Sequence, residues 1–185
     1  MKEILSRHNS IIHDVVTLLP LAAKTNDKGE WTEAVKSTMY QLWGKYLPGY
    51  KEEFCGFSLK RATHEWLLDV MWYPKDDSTE GVLLGLESEW LDSLKECRSD
   101  FCKLLAVKAP LKIFLFEAGK FKEEDHIQSL NVVCRKWQQH IKGDLIYAIN
   151  FSDGRHTTYF YEVLKDGPIA EFQFQKIANL SGTDS

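Results

Sequence analysis

Directly after Pro110 the chain reads Leu111-Lys112-Ile113-Phe114-Leu115-Phe116, five apolar residues in a run of six. Side chains alternate across a strand, so a run without apolar/polar alternation predicts a strand buried on both faces. Such a strand needs cover above and below, which points to a sheet with helices packed on it. Two apolar stripes at helical spacing flank it. Leu94, Cys97, Phe101, Leu104 and Leu105 predict a helix over 94–107, and Ile127, Leu130, Cys134, Trp137 and Ile141 predict one over 123–142 that stops at Gly143.

Upstream, Ile4, Ile11, Val15, Leu18 and Leu19 recur at near-helical steps and predict a helix over 3–23, ended by Pro20 and the polar stretch 25–29. It is expected to pack as an arm, residues 1–24. The apolar run 11–23 is interrupted by His13, Asp14 and Thr17 and is too short to cross a bilayer, so it reads as a buried helix and not as a signal or anchor. A second helix is expected over 31–46, along Trp31, Val35, Thr38, Leu42 and Tyr46, until Leu47-Pro48-Gly49 breaks it.

The pattern then becomes extended. The stretch 66–73 is dense in apolar and aromatic residues with Asp69 in its middle, Pro74 closes it, and after the polar turn 75–80 a second strand follows over 82–90. The two read as a hairpin. The last third gives strands over 145–151, 157–163 and 169–174, with Asp153-Gly154 and Asp166-Gly167 between them, a strong signal for an antiparallel meander. The expectation is one α/β (α+β) domain over 1–185, with a motif-bearing core at 31–118, a helix and meander at 119–176, and a frayed tail at 177–185.

Charge excludes little. The net charge of −4 gives no global attraction to polyphosphate, so nucleic-acid binding would need a local basic surface. The stretch 95–122 holds seven Lys/Arg against three acids and fits a solvated face as well as a phosphate-binding patch. Cysteines 55, 97, 102 and 134 form no CxxC pair, and reduced thiols in a cytoplasmic protein are the simplest account. His64, His126, His140 and His156 lack metal-ligand spacing, and Trp72, Trp90 and Trp137 read as packing residues.

Chemistry concentrates in Leu86-Glu87-Ser88-Glu89-Trp90. Glu87 and Glu89 fall on one face of the predicted strand, roughly 6.5–7 Å apart along the chain. Two like charges repel and burial raises a carboxyl pKa, whereas a divalent cation removes both problems; Mg²⁺ or Mn²⁺ suits an all-oxygen site. If the two strands pair, Asp69 supplies a third carboxylate.

With Asp69, the strand ending Glu87-Ser88-Glu89, the helix Asp100-Phe101-Cys102-Lys103-Leu104-Leu105 and the buried strand 111–116 taken in order, the chain resembles the PD-(D/E)xK nucleases over roughly 31–118. The resemblance implies a restriction-endonuclease-like mixed central sheet flanked by helices, with the C-terminal meander added to it. It also implies metal held by Asp69 and Glu87, with the Ser88 carbonyl as a further ligand, and a third motif position that helps activate water. Here that position is Glu89, not the usual lysine, and Leu68 stands where the family has proline. Lys103, on the next helix, is the candidate to replace the missing lysine. Asp100 is either part of the site or only a helical ion-pair partner of Lys103. Glu33 is the first-helix acid that could complete the site, or simply an exposed first-turn acid.

The leading expectation is therefore an endonuclease acting on double-stranded DNA, as a homodimer if both strands are cut. The alternative from another class is a catalytically inactive nuclease-fold binding or immunity module, favoured by the acidic charge and the missing motif lysine. A small-molecule metal hydrolase is a weaker third.

Overall fold

A computed structural model describes residues 2–23, 28–47, 68–72, 81–90, 93–152 and 155–177. Along them run α1 (Lys2–Ser6), α2 (His8–Ala22), α3 (Lys28–Tyr46), β1 (Val70–Trp72), β2 (Leu84–Glu89), α4 (Leu94–Ala106), β3 (Leu111–Phe116), α5 (Glu123–Lys136), β4 (Leu145–Ser152), β5 (Arg155–Glu162) and β6 (Gln175–Ile177). The six strands lie in one sheet in chain order. The pairs β2·β3 and β3·β4 are parallel, and β1·β2, β4·β5 and β5·β6 are antiparallel. The molecule is a mixed α/β structure.

All six residues of β3 are buried, as the apolar run predicts. Ile113 and Leu115 join a core with α2 and α3, while Phe114 and Phe116 join a second core with α4 and α5. Helices α4 and α5 connect successive parallel strands and cover the same face, the outcome when consecutive crossovers share one hand. The other face is then left to the N-terminal residues. Ile11, Ile12, Val15 and Leu19 of α2 are at most 1% exposed, so the expected arm is a layer of the core. Its helix is split at Arg7, whose guanidinium donates to the Tyr46 carbonyl, and it runs through Pro20 to Ala22.

Lys112, the one polar residue of β3, faces the second core and is not a member of any basic surface. Its ammonium donates to Asp144 Oδ2 and to the Ala109 carbonyl, each at 2.5 Å. Burial pulls the lysine pKa down and the Asp144 carboxylate opposes that pull.

Two C-terminal boundaries differ from expectation. Helix α5 ends at Lys136, not at 142, because Trp137 turns extended and His140 folds back, its ring Nε2 bonding the Cys134 carbonyl, which also accepts the Trp137 N–H at 3.1 Å. Ile141 is therefore exposed instead of lying on the stripe. Residues 169–174 form no strand, and the third meander strand is β6. Ile169, Phe172 and Phe174 instead anchor in the second core, with Phe172 stacked on Tyr161 and His140, and the Phe174 N–H donating to Asn131 Oδ1. At its other end α5 is tied down by Glu123, which accepts from Asn150 Nδ2 at 2.6 Å and from the Tyr159 hydroxyl.

Removing one partner of a buried ion pair leaves the other charge unpaired, so Lys112→Met alone or Asp144→Leu alone should each lower stability by about 3–5 kcal/mol in urea unfolding. The double variant should recover most of that loss; additive losses would show that the pair is not coupled.

Candidate functional site

The site forms where β1 gives out. The register pairs Trp72 with Leu84, Met71 with Gly85 and Val70 with Leu86, so one further step would oppose Asp69 and Glu87. Residues 68 and 69 bend instead, and side chains take over from the ladder. The Asp69 N–H donates to Glu87 Oε2 at 2.9 Å, and the Ser88 N–H donates to Asp69 Oδ2 at 2.9 Å. The Ser88 hydroxyl donates to the same Oδ2 at 2.5 Å. Each carboxylate thus satisfies a backbone donor that the shortened ladder leaves over. Asp69 was expected in mid-strand; it sits on the bend, and residues 66, 67 and 73 of that expected strand lie outside the described residues.

Alternation puts Leu84 and Leu86 into the core under α2 and α3, which turns Glu87 and Glu89 toward α4. That helix starts at Ser93, whose hydroxyl accepts the Glu96 N–H at 3.3 Å. It approaches β2 closely because Gly85 has no side chain: a Cβ there would lie 2.9 Å from Leu68 Cδ1 and 3.3 Å from Leu104 Cδ1. The neighbour of Leu104, Lys103, consequently reaches the acids. Its Nζ lies 3.5 Å from Glu87 Oε1 and 2.5 Å from Asp100 Oδ1. The lysine is 41% exposed and Glu87 only 7%, so the cation stands at the solvent side with the acid beneath it.

The electrostatics are those of crowded, dehydrated acids. Burial, and then the Asp69 charge, push the Glu87 carboxyl up to about 8, against the pull of the Asp69 N–H and Lys103. Asp69 is also raised, mainly by burial, while its bonds to Ser88 and the charge of Lys36 oppose the rise. Lys103 is held more firmly protonated than usual, first by its bond to Asp100 and further by the charge of Glu87.

Not every expected residue joins. Glu89 is buried on the same face, but its charge bears on Cys97, whose thiol is pushed up to about 12 by burial and then by Glu89 and Asp100. Among the described residues no three Asp, Glu, His or Cys come close enough to hold a metal ion. The expected three-acid cluster is therefore corrected to two acids and a lysine. Ser88 contributes its hydroxyl and N–H to Asp69. Glu33 is exposed on α3, and the α3 residue whose charge acts on Asp69 is Lys36, one turn later. Lys36 carries no signal in the sequence beyond that i,i+3 spacing from Glu33. Also unforeseen is the contact of His126 Nδ1 with Cys97 Sγ at 3.4 Å, deep in the second core. Its only trace is that both residues lie on or beside the apolar stripes of α4 and α5. His140 and the tryptophans 72 and 90 are buried packing residues, whereas His64 lies outside the described residues.

Comparison with protein-family models, curated proteins and solved structures yields no match for this chain.

Glu87 keeps its proton in the folded chain over a range in which the unfolded chain has lost it. Between the ordinary value of 4.5 and about 8, unfolding releases that proton, so this contribution to stability is whole below 4.5 and is lost as pH rises through 8. Melting temperatures in chelator should show Glu87→Gln gaining on the wild-type chain steadily from pH 5 to pH 8. A difference independent of pH would mean that Glu87 is not the group responsible.

Proposed function

We propose that this chain is a metal-dependent phosphodiesterase of the PD-(D/E)xK kind that acts on DNA. One observation carries the reading: Asp69 on the bend before β1, Glu87 on β2 and Lys103 on α4 come together, with Glu87 Oε2 on the Asp69 N–H and the lysine 3.5 Å from Glu87 Oε1. The element order supports it, since the acid-bearing β2 is followed by a helix and a parallel buried strand, compatible with a restriction-endonuclease-like core.

This reading gives a hard dication two carboxylates only, since among the described residues no three metal-ligating side chains come together. Both donors are carboxylates, and both are pushed up by burial and held beside a like charge, a strain that Mg²⁺ or Mn²⁺ would relieve. Asp69 and Glu87 would hold the ion, which when bound polarises a phosphoryl oxygen and eases deprotonation of a water. In the reaction, water adds to phosphorus and one P–O bond breaks, leaving a phosphomonoester and an alcohol. Lys103 is kept protonated and so is no base; its role is to face the charge that grows on the phosphoryl oxygens. Asp100 holds that lysine in place at 2.5 Å. Cleavage of both strands of a duplex needs two such sites, which makes a homodimer part of the proposal.

The same contacts favour a second reading, because Asp100 already clasps Lys103 and the chain is acidic overall. In that case the protein is a nuclease-fold binding or immunity module without catalysis. Supercoiled plasmid incubated with the protein and Mg²⁺ or Mn²⁺ separates the two. Nicking should appear with metal, vanish with chelator, and fall to background in Asp69→Asn and Glu87→Gln. In Lys103→Ala it should drop by about 10²-fold, the scale of losing one preorganised charge partner, with far-UV circular dichroism unchanged. A folded wild-type chain that nicks no plasmid with either ion would favour the binding module.

A further inference from the structure

Strand β5 outruns its ladder with β6, which ends at the pair Phe160 and Gln175, and an open recess of about 510 Å³ lies beyond that point. Tyr161, Leu164, Lys165, Ile169, Ala170 and Glu171 line it. Leu164 is 68% exposed, and three backbone donors hold the stretch around the exposed Ile141 against the bend that follows the strand. The Gly143 N–H donates to the Val163 carbonyl, the Lys142 N–H to Asp166 Oδ1 and the Gly167 N–H to the His140 carbonyl. Two of the four large apolar side chains that are exposed among the described residues thus share one corner of the molecule, on backbone that is already fixed.

Charge distinguishes this corner further. Lys165 and Glu171 are both exposed on the lining, and neither takes part in an ion pair among the described residues. A patch that carries a projecting leucine and a hollow, a cation and an anion, is its own complement. Two-fold pairing brings residue i of one copy to residue j of the other and j back to i, so each such contact is made twice. A peptide or small ligand would fill the hollow and leave Leu164 and Ile141 uncovered. We propose that this corner is the face through which two copies of the chain associate about a two-fold axis, with Leu164 of each copy seated in the other's recess and Lys165 of each facing the partner's Glu171. Neither metal nor nucleic acid enters the contact, so its failure would leave the reading of Asp69, Glu87 and Lys103 untouched.

Sedimentation velocity in chelator, over a wide range of protein concentration, reads the association directly. The wild-type chain should sediment as monomer and dimer, with the dimer share rising with concentration. Lys165→Glu and Glu171→Lys each set two like-charged pairs across the axis and should weaken the dimer by about tenfold or more. Combining the two substitutions restores opposite charges and should bring the dimer back, whereas Leu164→Asp should be monomeric throughout. All three positions are exposed, so far-UV circular dichroism and urea unfolding should show the variants folded as wild type is. A wild-type chain that stays monomeric at every concentration overturns the inference and leaves the recess to another partner. So does a dimer that survives Leu164→Asp, or one that the double charge exchange fails to restore.

Discussion

A strand whose two faces are both apolar has to be covered twice, and the whole arrangement follows from that requirement at β3. Its crossover helices α4 and α5 shield one side. Nothing in the βα succession can shield the other, so α2 and α3 fill that layer and their apolar faces become core. Burying a Leu, Ile or Phe is worth on the order of 1.5–3 kcal/mol, and five such residues of β3 are sealed on both sides. The lone lysine among them is admitted only with a carboxylate and a carbonyl already in reach.

That same strand sets the place of the acids. Its neighbour β2 is buried at every position but the half-buried Ser88, so Glu87 and Glu89 cannot reach bulk water freely and must find partners within the protein. The partners come from a bend, a serine and a helix. Where β1 ends early, Asp69 and Glu87 serve as substitutes for missing backbone acceptors, and that structural duty alone would explain why they stand together. Burial in that duty is also what raises their pKa values first, so the lysine above them is the feature on which the proposed chemistry leans.

What could be read from the sequence was local. Apolar spacing located α4 to within one residue and β3 without error, because in those segments the pattern that forms the element is also the pattern that buries it. It failed where a distant contact decides. His140 reaching back to Cys134 ends α5 early, and Phe172 prefers the stacked rings of Tyr161 and His140 to a place in the sheet. At the site, Asp69, Glu87 and Lys103 could be nominated from motif order, and Glu89 was correctly put on the face of Glu87. Alternation says nothing about how far a side chain leans along that face, so the approach of Glu89 to Cys97 was hidden, as was the charge of Lys36.

The empty space at Gly85 bears on more than helix packing. The two leucine methyl groups that crowd it belong to Leu68 and Leu104, the chain neighbours of Asp69 and Lys103. A single added carbon at position 85 would meet those methyl groups at 2.9 and 3.3 Å, and the ends of both side chains would have to shift to admit it. The packing beneath the two charged residues is therefore set by a residue that has no functional group at all.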